Sequence, residues 1–308
     1  MALPLSRYRS HSVLEPNPNP LVIAHRGASG DIAEHTLPAY LAAIETGADG
    51  LECDVRLTRD GHLVCVHDRT VDRTSNGTGI VSELDLEGLR ALDFQSWHDE
   101  LPSSADELLT DSPYLAGVAP DLQTPGSSTV LTLELLLGVV ADAGRPLQLL
   151  IETKHPTRYG GLVEKELVRL LRRFGWAGNG DSVAGAGSPI EPGQHPVTIM
   201  SFAPTALRRI RQLAPSVPLV LLMDERWISR RLDGLLPTGV RTGGPGIRLL
   251  RSEPDYVERA HRAGNRVFCW TVDDPEDVEL VRRLGVDGII TNRPAAVLAQ
   301  LRDSSEAD

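Results

Sequence analysis

Apolar residues along this chain fall in short runs whose period keeps changing. PLVIAHR (20–26) is an apolar strand-like run that ends abruptly in two polar residues. HTLPAYLAAIETG (35–47) then shows helical spacing and a glycine stop. GLECDVRLT (50–58) reads as a strand, RDG as a turn, and HLVCVHD (62–68) as a strand returning in a hairpin. After residue 129 the alternation resumes. Strands are predicted in LQLLIETK, HPVTIMSF, VPLVLLMD, NRVFCWTVD and VDGIITNRP, and a weaker one in TGVRTGGPG. Helical patterns separate them: TLELLLGVVADAG, GGLVEKELVRLLRRFG, PTALRRIRQLA, ERWISRRLDGLL, EPDYVERAHRAG and PEDVELVRRLG, with AAVLAQLR closing the chain. Eight strands in a strand–helix rhythm predict an α/β fold of the (β/α)8 TIM-barrel type. A doubly wound open sheet would carry a glycine-rich phosphate loop after its first strand, and HRGASG lacks that spacing.

Residues 69–128 break the rhythm. RTSNGTG is a loop, a short helical stretch lies near 84–92, and 101–128 are rich in Pro, Ser and Gly. Structureless stretches of this length inside a domain are usually functional or disordered. The expectation is therefore one barrel domain over 1–308, with 1–19 as an N-terminal extension and 69–128 as a small insertion after the second strand unit, a flap near the barrel mouth.

Composition changes this picture little, but charge narrows it. The 308 residues are 41% hydrophobic and 24% charged, which is ordinary for a globular chain. A formal net charge of −11 gives no basic footprint for nucleic acid and would be repelled by an anionic membrane surface. Any anionic ligand needs local cations. The apolar runs are too short to span a membrane, and the N-terminus has no apolar signal core. Cys53, Cys65 and Cys269 form no C-x-x-C pair, which fits a reducing, cytoplasmic setting. Assembly into a homo-oligomer stays open.

Candidate chemistry collects at the strand C-termini, the face where barrel enzymes build their sites. His25 and Arg26 end the first strand, Glu52 and Asp54 lie on the second, Glu152 and Lys154 end the third, and Trp270 lies on the seventh. Side chains alternate across a strand, so Glu52 and Asp54 share one face while Leu51, Cys53 and Val55 take the other. With the apolar set packed on the helices, the carboxylates point into the barrel. An E-x-D pair alone is commonly an ordinary ion-paired surface feature. A third inward carboxylate, Glu152, creates repulsion that a cation relieves, and an all-oxygen donor set selects one hard divalent ion: Mg2+, Ca2+ or Mn2+. His25 and His67, flanking that cluster, suit acid–base work near neutral pH.

In order along the chain, AHRGASGDIAEHT, GADGLECDVRLTRDGHLVCVHDRTVDRTSNGTG, LTLELLL, IETK, VTIMSF and CWTVD…VDGIITNRP resemble segments of the glycerophosphodiester phosphodiesterase family, over roughly 21–294. The resemblance implies hydrolysis of small-molecule glycerophosphodiesters to sn-glycerol 3-phosphate and an alcohol, in glycerophospholipid breakdown. It makes Glu52, Asp54 and Glu152 the metal ligands and His25 and His67 the acid–base pair. Arg26 and Lys154 become phosphate-binding candidates, with Glu34 and Trp270 as further substrate-binding candidates. Alternatives on the same barrel are a lysophospholipase D, a phosphoinositide-type phosphodiesterase and a non-catalytic binding barrel. Two positions depart from the usual pattern: P-E-N-T is here Ala33-Glu34-His35-Thr36, and the T-D of the last strand is Thr291-Asn292. The order of acid and base, and the choice between direct water attack and a cyclic phosphate, are open at this level.

Overall fold

In the computed structural model the described residues are 14–95, 129–155, 160–178, 195–225 and 233–307. They form a closed barrel of eight parallel strands: β1 (Leu21–His25), β2 (Gly50–Leu57), β4 (Gln148–Thr153), β5 (Val197–Ser201), β6 (Leu219–Met223), β7 (Thr242–Pro245), β8 (Arg266–Cys269) and β9 (Gly288–Thr291). The barrel closes because β1 pairs with both β2 and β9. A short β3 (Leu63–Cys65) lies antiparallel on the outer end of β2, the hairpin expected from RDG. Helices α1 (Leu37–Glu45), α3 (Leu133–Ala141), α4 (Leu162–Arg173), α5 (Pro204–Leu213), α7 (Tyr256–Arg262), α8 (Pro275–Leu284) and α9 (Pro294–Ala307) follow the predicted patterns.

Two differences have local causes. A further short helix, α6 (Ile247–Ser252), sits directly after β7; six residues are too few for a visible helical period. Of the helix predicted in ERWISRRLDGLL, 226–232 lie outside the described residues, and 233–236 are not helical. Gly234 there takes φ +82°, which a helix does not permit. The insertion is described only to residue 95. That part is ordered by its own small core: Val71, Val81, Leu86, Leu89 and Phe94 pack with Val64, Val66 and Val130. It holds a 3-10 turn, Val81–Glu83, and α2 (Leu86–Arg90), capped by Asp85 accepting from Gly88 N at 2.8 Å. Residues 96–128 of the expected insertion and flap lie outside the described residues.

Strand alternation sorts the side chains into two sets. Leu51, Cys53, Val55, Leu149 and Ile151 point outward into the main core against the helices. Ile23, Leu150, Met200, Val220, Leu222, Phe268 and Ile290 point inward and plug the barrel. Two positions beyond the plug, on the same inward face, stand His25, Glu152, Trp270 and Asn292. Period-two geometry thus lifts a polar layer directly onto an apolar floor.

The turn after β1 is tight. Arg26 and His35, neither a glycine, take φ +58° and +59°, and His35 N donates to Arg26 O at 3.1 Å, closing the loop between them. Left-handed backbone costs roughly 1–2 kcal/mol per non-glycine residue. Gly27 at φ +86° passes so close to α1 that a Cβ would lie 2.7 Å from the Ala39 carbonyl carbon, whereas Gly47 at φ +88° has open space. Gly27→Ala should therefore lose about 2 kcal/mol or more of stability, from both strain and clash. Gly47→Ala should lose only about 1 kcal/mol, from strain alone. Urea unfolding of the two variants separates them; equal losses would refute the close approach at Gly27.

Candidate active site

The polar layer begins with strand register. His25 stands opposite Glu52, and Asp54 opposite Glu152, so four residues remote in sequence meet at one barrel end. Carboxylate oxygens of Glu52, Asp54 and Glu152 lie within 4.8 Å of one another, and all three residues are buried. Lys154 places its Nζ 3.0 Å from both Asp54 Oδ1 and Glu152 Oε1. Arg26 brings Nε to 3.1 Å from Asp54 Oδ2, while its backbone N–H donates to Glu52 Oε2 at 3.1 Å.

The electrostatics are lopsided. Burial disfavours the charge on Asp54, but Lys154, Arg26, His67 and a hydrogen bond from His35 together hold its carboxyl well below the usual range. Glu52 is pushed well above that range, by burial first and the Asp54 charge next. Glu152 is raised to about 7, again mainly by burial. Two of the three carboxyls are thus biased towards their protonated forms. Asp54 Oδ1 is buried and, among the described residues, meets the Lys154 ammonium without hydrogen-bond alignment. A compact all-oxygen set short of positive charge suits a divalent metal ion.

Both expected histidines stand at this end, each fixed at Nδ1. His25 Nδ1 meets Asn292 Oδ1 at 2.7 Å, and its Nε2 faces Glu52 Oε2 at 3.9 Å. His67 Nδ1 meets Asp68 Oδ1 at 2.7 Å, and the Arg56 guanidinium grips the His67 carbonyl at 2.6 Å. Burial, then Arg26, lowers His25 to about 3. Burial, then Arg26 and Lys154, drives His67 well below its ordinary value.

Glu34 is buried between two arginines. It accepts from Arg26 Nη1 at 3.1 Å and from Arg73 at 2.9 and 2.7 Å, and Arg73 Nε donates to Asp68 Oδ2 at 2.6 Å. The two arginines outweigh burial and hold Glu34 at about 2. Trp270 sits at the mouth, edge-on to Phe202 with ring centroids 5.4 Å apart, its Nε1 donating to Gly244 O.

Several contacting residues, Asp68 beside His67 among them, carried no role in the sequence reading. Arg73 lies in the quoted segment HDRTVDR, and nothing local marks which of its cations turns back to Asp68. His35 bridges Tyr40 OH at 2.8 Å and Asp54 Oδ2 at 3.0 Å. Asn292 and Asp273 meet behind His25, with Asn292 Nδ2 donating to Asp273 Oδ2 at 2.6 Å. The departures at positions 35 and 292 were the available signal, and both face the site.

With this geometry in view, comparison with known proteins is decisive. The model of the glycerophosphoryl diester phosphodiesterase family matches residues 25–296. The chain belongs to that family. It is similar to the "Probable glycerophosphodiester phosphodiesterase 1" of Mycobacterium tuberculosis, 42% identical over 286 residues, 92% of this chain and 93% of that one. It is 33% identical to a glycerophosphodiester phosphodiesterase of Bacillus subtilis, covering 96% of this chain and 90% of that one. Among solved structures, an Oleispira antarctica phosphodiesterase in complex with its product sn-glycerol-3-phosphate superposes with TM-score 0.66 at 22% identity, covering 92% and 97% of the two chains. A glycerophosphodiester phosphodiesterase of Agrobacterium tumefaciens gives 0.65 at 21%, covering 91% and 100%. Those two likenesses speak to the barrel. Family membership makes this chain a phosphodiesterase.

Protons and metal should compete for this cluster. Glu52 and Glu152 are raised in the fold, so a cation bound by this cluster would displace protons and its affinity would rise as pH climbs through about 7. Mg2+ or Ca2+ should therefore raise the melting temperature more at about pH 8 than at about pH 5.5. A larger rise at the acid pH would contradict the assignment.

Proposed function

We propose that the protein hydrolyses glycerophosphodiesters to sn-glycerol 3-phosphate and an alcohol, with one divalent cation held by Glu52, Asp54 and Glu152. The reading rests on one observation above all: three buried carboxylates within 4.8 Å of one another, beside two cations and two histidines, at the C-terminal end of a barrel. Mg2+ or Ca2+ is the expected ion, with Mn2+ also suited to oxygen donors. When bound, it polarises a phosphoryl oxygen and neutralises charge developing there.

The protein groups supply the rest. Arg26 and Lys154 are cations beside the cluster and address the phosphate monoanion, overcoming the unfavourable net charge of −11. In-line displacement needs a proton acceptor on one side of phosphorus and a donor on the other. The two histidines differ in the way this requires. His25 leans on a neutral amide, which suits an uncharged base; His67 leans on the carboxylate of Asp68, which favours the protonated form that an acid needs. A bound phosphate offsets Arg26 and Lys154, two of the influences that hold His67 low. Arg73 couples Asp68 to Glu34, and Glu34 to Arg26, so the acid and the phosphate-binding guanidinium share one rigid ion network. Glu34 thus acts on substrate through Arg26, and Trp270 walls the mouth.

The products belong to glycerophospholipid breakdown, and the three buried free cysteines suit a reducing cytoplasm. Among the described residues no helix is long and apolar enough to cross a membrane. The cationic groups address a single phosphoryl unit, so the departing alcohol is held by few contacts. The protein is read as one barrel domain carrying an insertion after the second strand unit.

His25→Ala and His67→Ala should each lower kcat by about 10²–10⁴-fold with smaller changes in KM. Chelation should abolish turnover and added divalent ion restore it; full turnover in excess chelator would remove the metal from the scheme. Glycerophosphocholine, glycerophosphoethanolamine and glycerophosphoglycerol should give kcat/KM values within about a hundredfold, the range a few weak contacts supply. A short-chain diacyl phosphatidylcholine should be far poorer. Comparable rates on the diacyl lipid would overturn this substrate assignment.

A further inference from the structure

We propose that Asn292 and Asp273 are a positioning pair that fixes the tautomer of His25, with the proton on Nδ1 and the lone pair of Nε2 turned to the carboxylate cluster. The inference deepens the proposed function and rests on its reading of His25 as a catalytic group.

It follows from hydrogen-bond directionality, starting at Asp273. That carboxylate collects three donors: Thr291 Oγ at 2.9 Å and the Asn292 backbone N–H at 2.8 Å on Oδ1, and Asn292 Nδ2 at 2.6 Å on Oδ2. The amide cannot sit the other way round, because two oxygens would then face each other at that separation without a proton between them. The Asn292 amide is therefore oriented by Asp273, and its Oδ1 must face the barrel. There it lies 2.7 Å from His25 Nδ1 and 2.8 Å from Ser29 Oγ. An amide oxygen only accepts, so the ring nitrogen at that distance carries a proton. In a neutral imidazole the other nitrogen is then bare. That nitrogen, Nε2, points to the Glu52 side of the ring. The Ser29 hydroxyl has one proton to share between Asn292 Oδ1 and the His25 carbonyl, 2.6 Å away, and the orientation of Asn292 is independent of which it chooses.

The departure in the last strand acquires a meaning here. With Asp273 at 2.6 Å from its side chain, position 292 suits an amide and penalises a second carboxylate. The same amide gives His25 Nδ1 a neutral partner, in contrast with His67 Nδ1 on Asp68. His25 is thus built as a neutral acceptor at the site, and Asp273, whose hydrogen bonds go to Thr291 and Asn292, sets its direction through one intervening amide.

Nitrogen NMR on the Mg2+-loaded full chain with labelled histidines reads the tautomer directly, His25 being assigned from the signals lost in His25→Gln. The expected wild-type pattern is a protonated Nδ1 and an unprotonated Nε2. Asn292→Ala and Asp273→Ala, each checked for folding by circular dichroism, should populate the opposite tautomer and lower kcat about tenfold to a hundredfold with little change in KM. A wild-type Nε2–H tautomer, or an unchanged pattern in a folded Asn292→Ala protein, would overturn the inference. The wild-type spectrum decides it even if Asp273→Ala fails to fold. Failure of the proposed function looks different: His25→Ala would then retain activity, whatever tautomer the wild-type ring shows.

Discussion

Bringing Glu52, Asp54 and Glu152 together inside a barrel is unfavourable, and most of the site can be understood as a response to it. Three carboxylates out of water repel one another and lose hydration. Arg26 and Lys154 supply part of the compensation, and the upward shift of Glu52 and Glu152, caused first by burial, marks it as incomplete. A site left short of positive charge attracts a divalent ion and, with the ion present, an anion as well. In the proposed reading, affinity for a phosphodiester comes from this local charge, in a chain whose overall field opposes it.

The cations must be held rigidly for this to work, and the structure holds them with further ion pairs. Arg26 lies between Asp54 and Glu34; Glu34 is shared with Arg73; Arg73 reaches Asp68, the partner of His67. Each of these linked buried charges has an opposite neighbour, so removing one member strands the next. Backbone strain joins in. Arg26 and His35 both take left-handed conformations, and the loop they bracket delivers Glu34 and His35 to the cluster. Conformational cost concentrated at such a site is borne by the packed barrel beneath it.

Much of this was legible before any coordinates. Period-two alternation set Glu52 and Asp54 on one face and Leu51, Cys53 and Val55 on the other, and the barrel keeps that division. The strand count and the hairpin at RDG are likewise local signals. Register is not local: that Asp54 stands beside Glu152, rather than Leu150, depends on the stagger of the closed barrel. Hydrogen-bond partners are harder still. Asn292 meets His25 across 267 positions, and Arg73 meets Glu34 across 39. Such contacts leave no period or spacing. They show beforehand only as residues that break a pattern, as His35 and Asn292 do.

The central claim is that the three-carboxylate cluster, rather than any other acidic group, holds the divalent ion. Anomalous diffraction from crystals grown with Mn2+ tests it directly. The expected result is one strong peak within coordination distance of Glu52, Asp54 and Glu152, about 2.0–2.6 Å from their oxygens. A peak elsewhere on the barrel, with the cluster bridged only by Lys154 and Arg26, would contradict it.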